Sequence, residues 1–176
     1  MIVSRNPALR AVEAVCIADG RYDITTTMTN ILMAILWGGA SCAILDGMAS
    51  SLVSSLKGVK PAQMWQGVAS GLLGPKSFLR GNASVMLGLL FHCLIAFIAA
   101  SVFSVASHYF PFLSIHYLIS GAAFGVIVFL VMNLIVIPLS AMAKRAVTLR
   151  GVITQVIIHI VCVGLPITIA VSRYAN

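Results

Sequence analysis

Four apolar stretches, residues 31–56, 83–107, 115–140 and 151–172, are each long enough to cross a bilayer. About 20 apolar residues in a helix span the roughly 30 Å of hydrocarbon. In lipid the backbone must satisfy its own hydrogen bonds, which leaves helices as the spanning form for segments of this length. Only 9% of the 176 residues are charged and 60% are hydrophobic, whereas a water-soluble domain carries about 25% charged residues. So little charge cannot clothe a water-facing surface. The expected fold is therefore all-α and polytopic: one bundle of four transmembrane helices over residues 31–173, with the lipid bilayer as its partner and no second domain.

Residues 1–30 differ from the rest. They hold three of the four acids (Glu13, Asp19, Asp23) and three of the eleven bases (Arg5, Arg10, Arg21). No apolar run leads to a small-residue cleavage site, so this tail does not read as a signal peptide. Pro7 followed by Ala8, Leu9, Ala11, Val12, Val15 and Cys16 fits a short amphipathic helix that Gly20 would stop. The alternative is a translation start at Met28 or Met33, which would leave the tail out of the working protein.

The net charge of +7 is informative through its placement. The loop over 57–82 holds Lys57, Lys60, Lys76 and Arg80, and the loop over 141–150 holds Lys144, Arg145 and Arg150. The connection around His108 to Pro111 has neither Lys nor Arg. Short basic loops stay in the cytoplasm, so both of these are expected there, with both termini outside, in a bacterial inner membrane. The bases suit anchoring beside anionic lipid; no nucleic acid is expected as partner. Cys16, Cys42, Cys93 and Cys162 form no C-x-x-C pair and read as small buried residues.

The first cytoplasmic loop is more than a connector. Residues 61–73 open on Pro61 and run to Gly74, with Gln63, Trp65 and Gln66 in the first two turns. Such a segment is too short to span, and Trp65 suits a headgroup boundary. It is expected to form an interfacial or shallow re-entrant helix, serving either as an amphipathic connector or as a lid over polar groups below it. Within the spans, small residues recur at helical spacing. Gly39, Cys42, Ala43 and Asp46 share one face; Gly88, His92, Ala96, Ala99 and Ala100 share another; Gly121 and Gly125 form a small-x-x-x-small pair. Small residues let helices approach closely in lipid, so Asp46 and His92 are expected to point inward.

Each span carries one strongly polar side chain: Asp46, His92, Asn133 and His159. Counted from the cytoplasmic ends at 1.5 Å per residue, they lie at depths of about 15, 14, 10 and 12 Å. Gln155 and Pro166 support His159, Ser140 lies one heptad beyond Asn133, and Pro138 and Pro166 should each free a carbonyl and kink their helices. Ionisable groups at such depth must face protein, water or a partner. Three readings stay open. The layer is a structural hydrogen-bond network; or an Asp–His relay supports passage of an ion, proton or small solute, for which so small a bundle would need a homo-oligomer; or His92 and His159, with Asp46, hold a metal or haem in an oxidoreductase component. No cofactor is expected under the first two. Hydrolase, metalloprotease and nucleotide-loop patterns are missing, and outside the tail Asp46 is the only acid, so catalytic residues are not expected.

Leu45-Asp46, the run 68–74, the run 87–92 ending in His92, Met132-Asn133 with Pro138 to Ala141, and the run 163–166 together resemble a group of small uncharacterised bacterial four-span inner-membrane proteins. The resemblance covers about residues 34–173 and links Asp46, the 68–74 segment, His92 and Asn133 in one pattern. It implies a bacterial inner-membrane location and no activity. The group begins near the first span, so the tail is a departure from it.

Overall fold

The computed structural model describes residues 24–143 and 148–174. The tail over 1–23, with its bases and its expected amphipathic helix, and Lys144 and Arg145 lie outside the described residues. Among those described, every regular element is helical. α1 (Ile24–Leu56) is followed by α2 (Pro61–Leu73), which runs into a 3₁₀ segment, Gly74–Leu79. α3 (Asn82–Tyr109) and the single turn α4 (Phe112–Ile115) come next. α5 (Tyr117–Val131) continues through a π-helical turn, Met132–Val136, into α6 (Ile137–Leu139). α7 (Leu149–Ile158) continues likewise through the π turn His159–Gly164 into α8 (Leu165–Tyr174).

Four helices are long and apolar enough to cross a membrane: Thr25–Leu56, Asn82–Tyr109, Tyr117–Leu139 and Leu149–Tyr174. The expected all-α, four-span architecture is the one observed. α1 starts well before residue 31, because its threonines do not break the helix: Thr29 Oγ1 donates to the Thr25 carbonyl at 2.8 Å. A hydroxyl that bonds back to its own helix is compatible with a helical run.

Packing follows the logic of lipid rather than water. α1 lies along α3 on one side and along α8 on the other; α5 lies on the π turn His159–Gly164 and on α8; α2 lies on α3. The buried core is made largely of small side chains, among them Ala34, Cys42, Ala96, Ala100 and Val163. Large apolar side chains point outward, with Ile44 60%, Leu90 62% and Leu134 70% exposed. Where the solvent is itself apolar, close backbone approach replaces the hydrophobic drive. The closest approach between spans joins the third to the fourth: a Cβ on Gly164 would overlap the Gly121 carbonyl, and one on Gly125 would stand 2.5 Å from the His159 carbonyl oxygen.

Pro138 and Pro166 act through the turns before them. Proline donates no hydrogen bond and its ring crowds the carbonyl one turn back. Both helices widen just ahead of the ring: Ile137 N–H reaches Met132 O, and Leu165 N–H reaches Ile160 O, five residues back in each case. An extra residue in the turn moves the crowded carbonyl aside.

Candidate functional site

His92 is carried by α3 against α1. Its Nε2 lies 3.0 Å from the Ala43 carbonyl oxygen. A carbonyl only accepts, so Nε2 bears the hydrogen and Nδ1 carries the lone pair of the neutral ring. Nδ1 faces Asp46 Oδ2 at 3.8 Å, with both side chains 15% exposed. That distance exceeds a hydrogen bond and lies within ion-pair reach. With no proton on either atom, a ring lone pair would face a carboxylate lone pair. A single proton removes the conflict, placed on the carboxyl or on Nδ1, where it makes an imidazolium–carboxylate pair. The other carboxyl oxygen, Asp46 Oδ1, is buried without a hydrogen-bond partner, a condition that costs about 1–3 kcal/mol or more for a polar group.

Two glycines make this contact possible. A side chain at Gly47 would stand 3.3 Å from His92 Nε2 and 3.2 Å from the Trp65 ring, crowding the ring away from the Ala43 carbonyl. One turn before His92, Gly88 admits the Trp65 carbonyl to a place that any Cβ would fill. α2 is thereby laid along α3 at the depth of the pair. The Trp65 ring meets the His92 ring edge to face, centroids 5.2 Å apart, so it covers the imidazole instead of serving only as a boundary anchor.

Other groups hold α2 in place. Buried Gln66 donates from Nε2 to the Gly81 carbonyl at 3.2 Å. Ala141 N–H donates to the Gly71 carbonyl at 2.9 Å, tying the far end of α2 to the chain beyond α6. Ser84 Oγ donates to the Ser77 carbonyl at 2.6 Å. Gln63 is exposed, and its Oε1 accepts the Lys60 N–H at 3.2 Å, which caps the helix start.

The second pair of polar residues is used differently. Asn133 lies on an exposed face, with Nδ2 donating to the Phe129 carbonyl at 2.8 Å. His159 Nδ1–H donates to the Gln155 carbonyl at 2.8 Å, so Gln155 contributes its backbone rather than its amide. The His159 ring packs edge to face on Phe129, centroids 5.6 Å apart. Each of the two π turns therefore has a side chain that turns back to a carbonyl one turn earlier. Ser140 Oγ donates to the Ile137 carbonyl at 2.8 Å and accepts from Met142 N–H at 3.3 Å, closing the end of the third span.

Similar depth does not make one network. Among the described residues no hydrogen bond joins Asp46 or His92 to Asn133 or His159. Depth fixes a height along each helix, whereas a meeting also needs the right direction around it. Nor does any group of three His, Cys, Asp or Glu side chains converge among the described residues. His92, His159 and Asp46 are therefore not gathered as a three-ligand metal group, and His92 Nε2 is taken by the Ala43 carbonyl.

No protein-family model, curated protein or solved structure matches the chain. The resemblance read from the sequence therefore rests on its own residues.

What the sequence reading missed are the Ala43 carbonyl that orients His92, Gly47 beside the acid, and the Trp65 carbonyl as the partner of Gly88, which was read only as a packing residue between spans. The glycine that follows Asp46 directly in the sequence is the signal that could have found the first of them.

Proposed function

We propose that this chain is a multi-pass protein of the bacterial inner membrane, with both termini outside and the 57–82 and 141–150 loops cytoplasmic, that supports passage of protons or small cations through the Asp46–His92 pair. The observation that carries this reading is the geometry of that pair. His92 Nδ1 faces Asp46 Oδ2 at 3.8 Å, within ion-pair reach, Asp46 Oδ1 is buried without a partner, and the Trp65 ring packs edge to face on the imidazole. A purely structural contact needs only the Ala43 hydrogen bond and would leave the acid without a task. Intramembrane acids that persist beside histidine fit proton transfer.

Reconstituted into liposomes, the wild-type chain is expected to dissipate an imposed pH gradient. Asp46→Asn, which keeps the shape and loses the titrating group, should reduce the flux to the leak of protein-free vesicles. Undiminished flux in that variant would overturn the reading.

Four helices give few surfaces to enclose a path, and passage is proposed to involve a homo-oligomer. Asn133 supports this: beyond its bond to the Phe129 carbonyl, an amide on an exposed face beside Leu134 and Ile135, 70% and 52% exposed, is costly against lipid, and a second copy would satisfy it. Asn133→Leu should weaken self-association in detergent by about 1 kcal/mol, roughly fivefold, as measured by dilution-dependent energy transfer between labelled chains. Equal or tighter association would remove Asn133 from the interface.

A further inference from the structure

The turn that links α2 to α3, residues 74–81, is held to a fixed shape. Gly74 and Gly81 bracket it with φ of 60° and 55°, values that residues with a side chain rarely adopt. Between them Ser77 is fully buried, and its carbonyl accepts the Ser84 hydroxyl at 2.6 Å and the Arg80 N–H at 3.3 Å. With its centre pinned to α3, the turn presents its other side chains outward. Lys76, Phe78, Leu79 and Arg80 are all exposed, Phe78 by 44% and Leu79 by 87%.

Two spans set the level of this turn. α3 starts at Asn82, directly after it. The third span ends beside it, for the Ala141 carbonyl oxygen is 3.6 Å from the place of a Cβ on Gly74. A segment where one span ends and another begins lies at the boundary between hydrocarbon and headgroups. There an exposed Phe-Leu pair has acyl chains to face, and a long base on either side of the pair reaches the phosphates.

Charge decides which headgroups fit. Lys57, Lys60, Lys76, Arg80 and Arg150 all belong to this end of the bundle. Asp46, the only acid among the described residues, lies ten residues before the end of α1 and faces His92. Lys76 and Arg80 therefore have no carboxylate among the described residues to pair with. A phospholipid of net negative charge supplies the counter-charge, whereas a zwitterionic one brings a cation of its own. An acidic protein would match the bases but not an apolar pair set at the level of the acyl chains.

We propose that the 74–81 turn is a docking site for anionic phospholipid, with Phe78 and Leu79 among the acyl chains and Lys76 and Arg80 on the phosphate. The site rests on the four helices crossing the membrane and is independent of passage through the Asp46–His92 pair. Gln66 of α2 donates to the Gly81 carbonyl, so lipid held at the turn also steadies α2.

The test uses the full chain in phosphatidylcholine vesicles and compares, by electron paramagnetic resonance, the association of spin-labelled phosphatidylglycerol and spin-labelled phosphatidylcholine. Phosphatidylglycerol is expected to associate about fivefold more strongly. Lys76→Gln with Arg80→Gln should remove most of that preference. Lys57→Gln with Lys60→Gln, which takes the same charge from the neighbouring loop, should keep most of it. Equal association of the two lipids with the wild type would overturn the proposal, as would a preference that survives in the first double variant or falls equally in both. Displacement of the labelled lipid by inorganic phosphate at constant ionic strength would assign the bases to a soluble anion and overturn the lipid assignment. Separately, the emission added by Leu79→Trp is expected to be quenched by phospholipid brominated near the top of its acyl chains. Emission indifferent to bromine would place the Phe-Leu pair in water and overturn its insertion.

Discussion

Gly164→Ala is expected to lower stability in detergent by about 3 kcal/mol, at the upper end for one added methyl in a packed interior. The methyl would have to occupy the position of the Gly121 carbonyl oxygen, with the Gly125 nitrogen 2.8 Å away on the other side. Both obstacles are backbone. No rotamer change relieves them, and α5 must separate from the fourth span. The proper control is Gly71→Ala, whose new methyl meets only the Ser140 Cβ at 3.7 Å, an ordinary contact. There the gain in helix propensity, about 0.5–1 kcal/mol, should leave stability unchanged or slightly higher. Thermal or denaturant unfolding of the two variants side by side checks the claim; equal midpoints would mean that the glycine contact between the spans does not bear on stability.

Gly88→Ala has the second large effect, of a different kind. Its methyl would displace the Trp65 carbonyl and crowd the Ala69 nitrogen at 3.3 Å. The α1–α3 interface runs on through Ala96 and Ala100, so the spans keep their contacts while α2 shifts. The expected signature is local: a red shift of Trp65 emission, read in a Trp37→Phe background, and faster tryptic cleavage at Lys57 and Lys76, with helical content retained. A local cost of about 1–3 kcal/mol is enough to expose α2 part of the time. Unaltered emission together with unaltered cleavage would show that α2 does not depend on this contact.

The spans could be read from the sequence because hydropathy over 20 residues is a property of the segment alone. So could the short helix over 61–73, marked by Pro61 at its start and Gly74 at its end. The meeting of Asp46 with His92 was half legible: both stand on small-residue stripes, and such stripes face one another. What stayed hidden depends on direction around a helix axis. Asn133 and His159 were expected near the depth of the acid, yet one lies on an exposed face and each returns to its own backbone. The sequence shows Pro138 and Pro166, and proline implies a disturbance; whether it appears as a kink or as a widened turn depends on what packs beside it. The extra turns of α1 before residue 31 were missed because threonines read as loop formers in water, while beside lipid their hydroxyls fold back on the helix.

The glycine contact of Gly121 and Gly125 with Gly164 also determines how this bundle can move. Two backbones in direct contact have no side chains between them to rearrange, so the third and fourth spans travel as one body. The first and second spans meet differently, with the Phe97 ring lying over Gly39, and the second meets the third through Phe103 and Phe124, centroids 4.9 Å apart. Rings can swing and repack within a fixed backbone. Any rearrangement that opens the level of Asp46 therefore has a defined line of shear, running between α1 and α3 and never between the glycine-bonded pair.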